Sequence, residues 1–266
     1  MTSERNAVFL DEMGVGPLWT RRHGSAPVDG SVVEIREQEN VSAAALSADA
    51  FEPVLAAPAA AAITALEQAP TLNEVARMDW PQLKASVAEC VKCGLCKGRT
   101  RTVFGVGDEK AKWLFIGEGP GRNEDLQGEP FVGQAGKLLD NMLRAIGLRR
   151  GENAYIANIV KCRPTDDNGR DRPPTPEETA ACMPYLARQI ELIQPTILVA
   201  LGKTAALSLL ALDPDTPVSK LRGTVHHYAG RPLIVTYHPA YLLRNMADKR
   251  KAWADLCLAT TTYANA

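Results

Sequence analysis

Four short runs rich in strand-forming residues recur from residue 111 onward in this 266-residue chain: AKWLFIG (Ala111 to Gly117), AYIANIV (Ala154 to Val160), TILVALG (Thr196 to Gly202) and PLIVTYH (Pro232 to His238). Each ends in a polar or glycine-rich loop, and between them QAGKLLDNMLRAIGL, TPEETAACMPYLARQIELI and KTAALSLLAL carry helical periodicity. Strand alternating with helix predicts parallel neighbours, because a parallel pair needs a crossover connection that a helix supplies. The expected fold class is therefore α/β. A central, mainly parallel four-stranded sheet lies between two helical layers in a three-layer α/β/α arrangement, with a disordered N-terminal extension. Ligands of such sheets bind at the carboxyl ends of the strands, so the residues that follow the four runs are the ones to read for function.

The folded body is expected to begin near MDWPQLKASVAEC, where Asp79 caps a helix with Pro81 in its first turn and Leu83, Val87 and Cys90 follow at helical spacing. Residues 25–70 are dominated by Ala, Pro, Ser, Val and acids and read as a linker. Before it, FLDEMGVGPLWTRRHG concentrates Phe9, Leu10, Met13, Val15, Leu18 and Trp19 ahead of two arginines, as a docking peptide over 1–24 would; an arm folded onto its own domain is the alternative. Residues 71–266 form the expected domain. Met1 to Trp80 holds 5 Arg and no Lys against 12 acidic residues, a charge of −7, while the remainder carries +6. A mildly basic body suits an anionic partner such as nucleic acid. No apolar run reaches the length that spans a bilayer and the first residues lack the order of a signal peptide, so the expectation is a cytosolic protein.

The densest segment is IGEGPGRNEDLQGEPFVGQAGKLLD, whose glycines permit close approach of a ligand to the backbone while Glu118, Glu124 and Asp125 supply carboxylates and Phe131 a flat apolar face. It is not a dinucleotide-binding turn, since G-x-G-x-x-G would place its last glycine at Arg122, nor a P-loop, since no Gly-Lys-Ser/Thr triplet ends it. The six cysteines stand at Cys90, Cys93, Cys96, Cys162, Cys182 and Cys257. In a reducing compartment, clustered thiols are metal ligands or catalytic groups rather than disulfides. The Cys90-x-x-Cys93-x-x-Cys96 run imitates the start of a ferredoxin motif, but the fourth Cys-Pro is missing, and spacing alone leaves zinc and an iron–sulfur cluster both open.

Three separated motifs, GEGPGRNEDLQGEPFVGQAGKLL, ANIVKCRP and TYHPAYLLRN, in that order behind a Cys-x-x-Cys pair, resemble the iron–sulfur uracil-DNA glycosylases called family 4, over roughly Trp80 to the C-terminus. The resemblance implies an enzyme of base-excision repair. It would hydrolyse the N-glycosidic bond of deoxyuridine in single- or double-stranded DNA and work as a monomer in the bacterial cytoplasm near the nucleoid. It implies that Phe131 stacks on the base, that Asn158 reads the O4 and N3–H edge of uracil, and that His238 donates to O2 as negative charge gathers there. A core phenylalanine and a turn-tying asparagine are the bland alternatives for the first two. Gly117 and Gly119 would belong to the base pocket. Glu118 is the first choice for positioning water, with Glu124 and Asp125 as substitutes, and Glu124 is also placed near uracil C5, where crowding would reject thymine. Leu242 is the expected wedge into the DNA stack, with Tyr241 and Arg244 against the backbone and Leu243 packed inside.

The same resemblance assigns a [4Fe-4S] cluster to Cys90, Cys93, Cys162 and Cys182, leaving Cys96 spare and Cys257 a buried thiol. Its role is structural, and the loops around it are expected to present Arg99, Arg101 and Arg163 to DNA phosphates. The insertion RPTDDNGRDRPPTPEET holds no histidine, which sets aside relatives that attach covalently to the abasic sugar. The N-terminal peptide looks somewhat like that of the small bacterial clamp-loader subunit psi, implying a replication partner. Two rival functions are an iron–sulfur electron-transfer protein, which accounts only for the cysteines, and a non-catalytic DNA-binding module with a structural metal.

Overall fold

The computed structural model describes residues 72–266, so the expected docking peptide (1–24) and linker (25–70) lie outside the described residues. Helices α1 (Leu72–Val75) and α2 (Trp80–Ala88) lead into a single 3-10 turn, Gly94–Lys97. The chain continues through β1 (Val106–Gly107), β2 (Trp113–Gly117), α3 (Arg122–Gln127), α4 (Gln134–Ala145), β3 (Ala154–Asn158), α5 (Pro176–Ile193), β4 (Ile197–Leu201) and α6 (Lys203–Leu210). It closes with α7 (Val218–Leu221), β5 (Val225–Tyr228), β6 (Arg231–Thr236), α8 (Pro239–Arg244) and α9 (Lys249–Ala264).

The sheet has six strands in the order β1-β3-β2-β4-β6-β5. The four expected strands are its parallel centre, β3-β2-β4-β6, while β1 and β5 pair antiparallel at the two edges. The RGTVHHYAG segment reads from sequence as an exposed strand or turn and forms β5, while β1 escaped the periodicity. β1 is only two residues long, and β5, VHHY, alternates exposed with half-buried positions as an edge strand does. By contrast every residue of β2, β3 and β4 is buried, the signature of parallel strands covered on both faces.

Alternation along each strand sends side chains to two separate cores. Leu114, Ile116, Tyr155, Ala157, Leu198, Ala200, Leu233 and Val235 pack with Leu83 and Val87 of α2, Tyr185, Leu186 and Ile190 of α5, and Ala205, Ala206 and Leu209 of α6. Trp113, Phe115, Ile156, Val199, Leu201 and Ile234 pack with Leu139 and Leu143 of α4 and Ala259 of α9. Fully burying each such Leu, Ile or Phe contributes about 1.5–3 kcal/mol, which makes the sheet a rigid platform for what stands at its ends.

Local chemistry starts the two helices that flank the cysteines. Asp79 and Gln82 close a reciprocal capping box on α2, with Pro81 in the first turn as expected. Thr175 and Glu178 do the same for α5, and Glu178 also takes both terminal nitrogens of Arg172 at 2.8 and 2.7 Å, tying the long connection after β3 to the helix start.

Candidate active site

Register aligns the strand ends: Gly117 pairs with Asn158, and Leu201 pairs with Thr236. A cavity of about 450 Å³ opens over them, lined by Glu118, Gly119, Glu124, Phe131, Asn158, His238 and Arg244 together with Pro164, Asp171, Arg172 and Pro173 of the connection after β3. Seven of the residues singled out from sequence thus meet in one place. Gly117 does not line the cavity but makes it possible. A Cβ there would sit 2.5 Å from Asn158 Oδ1 and 2.6 Å from Phe131 Cζ, so only glycine lets those two side chains converge on the end of β2.

Phe131 is held in an unusual backbone state, φ 56°, costly for a non-glycine residue and found where surrounding structure over-determines it. Arg150 supplies that constraint, donating to the carbonyls of Pro130 at 2.8 Å and Phe131 at 2.9 Å while pairing with Asp140 at 2.9 Å. Gly136 completes it, since a Cβ there would fall 1.7 Å from the Phe131 carbonyl oxygen. The ring is therefore set at the cavity wall, 5.5 Å from the His238 ring centroid and tilted 30° to it.

Asn158 is almost fully buried, yet its Oδ1 has no hydrogen-bond partner. An orphaned buried acceptor costs about 1–3 kcal/mol, so this one marks a place where a ligand donor belongs. Its backbone is fixed from below: Lys161 Nζ donates to the Asn158 carbonyl at 2.9 Å and to Gln189 Oε1 at 2.6 Å, and Gln189 in turn donates to the Phe104 carbonyl at 3.0 Å. Burial draws the Lys161 amine down to about 8, with the Cys182 sulfur opposing.

His238 caps α8. Its Nδ1 accepts the Ala240 N–H at 3.1 Å, so that nitrogen carries no proton and in the neutral ring the proton is on Nε2. Burial, helped by the positive charge of Arg244, lowers its pKa to about 4. A neutral Nε2–H donor at the cavity is the result. Gly202, at the end of β4, adopts φ 96° and leaves room for the His238 Cβ, which a side chain there would meet at 2.9 Å.

The three candidate carboxylates separate cleanly. Glu118 lines the cavity and accepts the Thr204 hydroxyl at 2.5 Å; burial raises its pKa and that hydrogen bond opposes the rise. Glu124 also lines the cavity, but its Oε1 is committed to the backbone N–H groups of Val132 and Gly133 at 3.0 and 3.3 Å, bracing the loop that carries Phe131. Asp125 is buried away from the cavity and accepts from the backbone of Thr100 and Arg101, which removes it as a substitute for Glu118.

Three expectations for the DNA-facing side are corrected. Leu242 is fully buried with Leu138, Met142 and Leu256, so it cannot enter a base stack; Leu243, expected inside, is 41% exposed. The short helix α8 buries Pro239 and Leu242, three positions apart on one face, and turns Leu243 outward. Tyr241, half-buried, is stacked on Tyr237 at 4.8 Å and donates its hydroxyl to Asp248 at 2.7 Å, contacts that brace α8 and are compatible with the expected surface position. Arg99 donates to the Cys90 carbonyl at 2.6 Å, the Ala88 carbonyl at 3.1 Å and the Cys162 sulfur at 3.4 Å, and Arg163 is paired with Asp171 at 2.5 Å. Neither offers a free guanidinium to phosphate, whereas Arg101 is exposed, and so is Arg244 at the cavity rim.

Cys90, Cys93, Cys96, Cys162 and Cys182 line one small pocket behind the end of β3, with Arg99 and Lys161 beside them. Cys96, expected to be spare as a ligand, also lines this pocket, while Cys257, expected as a buried thiol, lies half-buried on α9. Burial raises the thiols of Cys93, Cys162 and Cys182, the last to about 12, so any metal held here must displace protons. Among the described residues no three His, Cys, Asp or Glu side chains converge closely enough to hold one ion. Sequence reasoning passed over Arg150, Lys161, Gly202 and Thr204. For the last two the signal was available, since Gly202-Lys203-Thr204 follows a strand end like the other site residues.

The family model described as the uracil DNA glycosylase superfamily matches residues 104–257. The chain is 50% identical over 163 residues to the type-4 uracil-DNA glycosylase of Archaeoglobus fulgidus, covering 59% of this chain and 79% of the relative. It is 46% identical over 164 residues to that of Thermotoga maritima, covering 61% and 82% respectively. With that of Pyrobaculum aerophilum it shares 39% over 189 residues, 68% of this chain and 93% of the relative. The packing at the strand ends makes one prediction that is independent of activity. Gly117→Ala should lower stability by about 1–3 kcal/mol in urea unfolding and displace the Phe131 ring in a crystal structure, because the added methyl overlaps both neighbours. Unchanged stability and ring position would show that the close approach at Gly117 is not a constraint.

Proposed function

The chain belongs to the uracil DNA glycosylase superfamily and is a DNA-repair glycosylase that acts on uracil, and we propose that its strand-end cavity takes up the flipped base and releases it. The reading is carried by one observation: an unpartnered, buried Asn158 amide oxygen between the Phe131 face and the neutral His238 donor. Uracil presents N3–H beside O4, so the Asn158 oxygen accepts the first while its amide donates to the second. Cytosine reverses both groups and would leave the amide mismatched in a buried site. Phe131 stacks on the ring, offsetting part of the few kcal/mol that flipping costs.

As the bond between N1 and C1′ of deoxyribose breaks, the sugar becomes cation-like and negative charge spreads onto uracil O2. His238 Nε2–H donates to that oxygen, and removing such a preorganised donor costs about 3 kcal/mol. Glu118 orients the attacking water toward C1′ and its charge favours the sugar cation; the water oxygen joins C1′ and releases one proton to solvent, uracil leaves with the bonding pair and takes up a proton from solvent, and an abasic site remains. Gly119 keeps this wall open, since a Cβ there would meet Val160 at 2.7 Å. We place Glu124 on the C5 side, against thymine's methyl. Arg244 faces a flanking phosphate, and Leu243 with the exposed Met246 takes over the wedge role that burial denies Leu242.

We further propose that Cys90, Cys93, Cys162 and Cys182 hold a [4Fe-4S] cluster. The donor set supports this: thiols drawn from three separate segments around one pocket, with Lys92, Arg99 and Lys161 beside them to balance a negatively charged centre. When bound, the cluster would cross-link the turn after α2 to α5 and to the end of β3, and it would supply no electron to the hydrolysis. For residues 1–24 we propose docking to the replication clamp loader, and for the protein a monomeric, cytoplasmic, nucleoid-associated life. No helix among the described residues is long and apolar enough to cross a membrane.

Three experiments test this. Oligonucleotides with one uracil, single- or double-stranded, should break on alkali after incubation with the protein. The acid limb of that rate should belong to Glu118 and vanish in Glu118→Gln, because His238 stays neutral down to about pH 4. No scission with the metal centre intact would sink the enzyme reading. The purified protein should absorb broadly near 400 nm, roughly as Fe–S thiolate centres do. Cys182→Ser and Cys93→Ser should lose that band while Cys96→Ser keeps it; a colourless wild type would favour zinc. Finally, deleting residues 1–70 should spare cleavage and abolish co-purification with the clamp loader, and retained co-purification would contradict the docking role.

A further inference from the structure

Each central strand except β4 delivers a residue to the proposed chemistry: Glu118 after β2, Asn158 at the end of β3, His238 after β6. The end of β4 is occupied all the same. In the first turn of α6, Thr204 sends its hydroxyl to Glu118 Oε2 at 2.5 Å, crossing from β4 to its neighbour β2. A threonine hydroxyl has a single proton, and here that proton is given to the carboxylate. Glu118 Oε1 has no protein partner among the described residues and belongs to a side chain that lines the cavity.

We propose that Thr204 is the positioning residue for Glu118, fixing one carboxylate oxygen so that the other is aimed into the cavity at the attacking water. The assignment rests on the reading of Glu118 as the water-orienting group. A carboxylate with one oxygen held by a short hydrogen bond keeps a single orientation, and orientation is what a water-positioning group contributes. The hydrogen bond also favours the ionised form. The other charged or titratable groups lining the cavity are Glu124, Asp171, Arg172, Arg244 and His238, and none of them shifts Glu118; burial raises its pKa and Thr204 alone opposes that rise. Arg172 is spent on Glu178, and His238 is neutral.

The test is uracil release under single turnover across the acid range for wild type, Thr204→Val, Thr204→Ser, Glu118→Gln and the double variant Glu118→Gln/Thr204→Val. A hydrogen bond to a charged group is worth about 1.5–3 kcal/mol, so Thr204→Val should lower the saturating single-turnover rate about ten- to hundred-fold with the half-saturating enzyme concentration little changed. Its acid limb should move to higher pH, because the carboxylate loses the one contact that favours its charge. Thr204→Ser should restore both rate and limb, and adding Thr204→Val to Glu118→Gln should cost nothing more. Valine is close to threonine in shape, so melting temperature serves to confirm that the fold is intact. If Glu118→Gln keeps the wild-type rate, the reading of Glu118 falls and this assignment with it. If Glu118→Gln is slow but Thr204→Val keeps the wild-type rate and acid limb, or costs as much on top of Glu118→Gln as alone, the Thr204 assignment alone is overturned.

Discussion

The site depends on one close approach. At the end of β2 the chain has no side chain, and into that space come the Phe131 ring and the Asn158 amide from two other segments. Several neighbours serve to hold those two groups against a bare backbone. The fully buried parallel strands keep the ends in register, Arg150 pins a backbone state that Phe131 would not adopt alone, and Lys161 fixes the carbonyl of Asn158 from beneath. Strain and burial are concentrated at the ends of the parallel strands, which is where a fold of this kind can accept them because its two cores are large and well packed.

Electrostatically the cavity works by burial rather than by charge pairing. Desolvation keeps His238 neutral and lifts Glu118, and the groups that answer are single hydrogen bonds, from the Ala240 N–H to Nδ1 and from the Thr204 hydroxyl to Oε2. A neutral donor suits a leaving group that gathers negative charge on one oxygen, since its stabilisation is oriented in advance and needs no proton transfer. Two of the arginines that sequence suggested for DNA are turned to protein partners, Arg99 to the cysteine pocket and Arg163 to Asp171, while Lys161, which it did not single out, stands between Cys182 and the Asn158 backbone. The pocket lined by the cysteines and the strand that ends in Asn158 therefore share a wall.

The sequence by itself determined the parallel α/β sheet, the cap at Asp79, and the convergence of Glu118, Phe131, Asn158 and His238, because strand alternation fixes which loops share one end and those residues sit in them. Tertiary structure alone decided where individual side chains turn. Leu242 and Leu243 are adjacent and chemically identical; which one faces solvent follows from the packing of α8 against Leu138 of the distant α4 and Leu256 of the following α9. The same holds for Asp125 turning to the backbone at Thr100, for Arg99 turning to Cys162, and for Thr204 reaching Glu118 from 86 residues away. Periodicity reports the environment of an element, whereas the partner of a polar side chain is set by contacts between segments that only folding brings together.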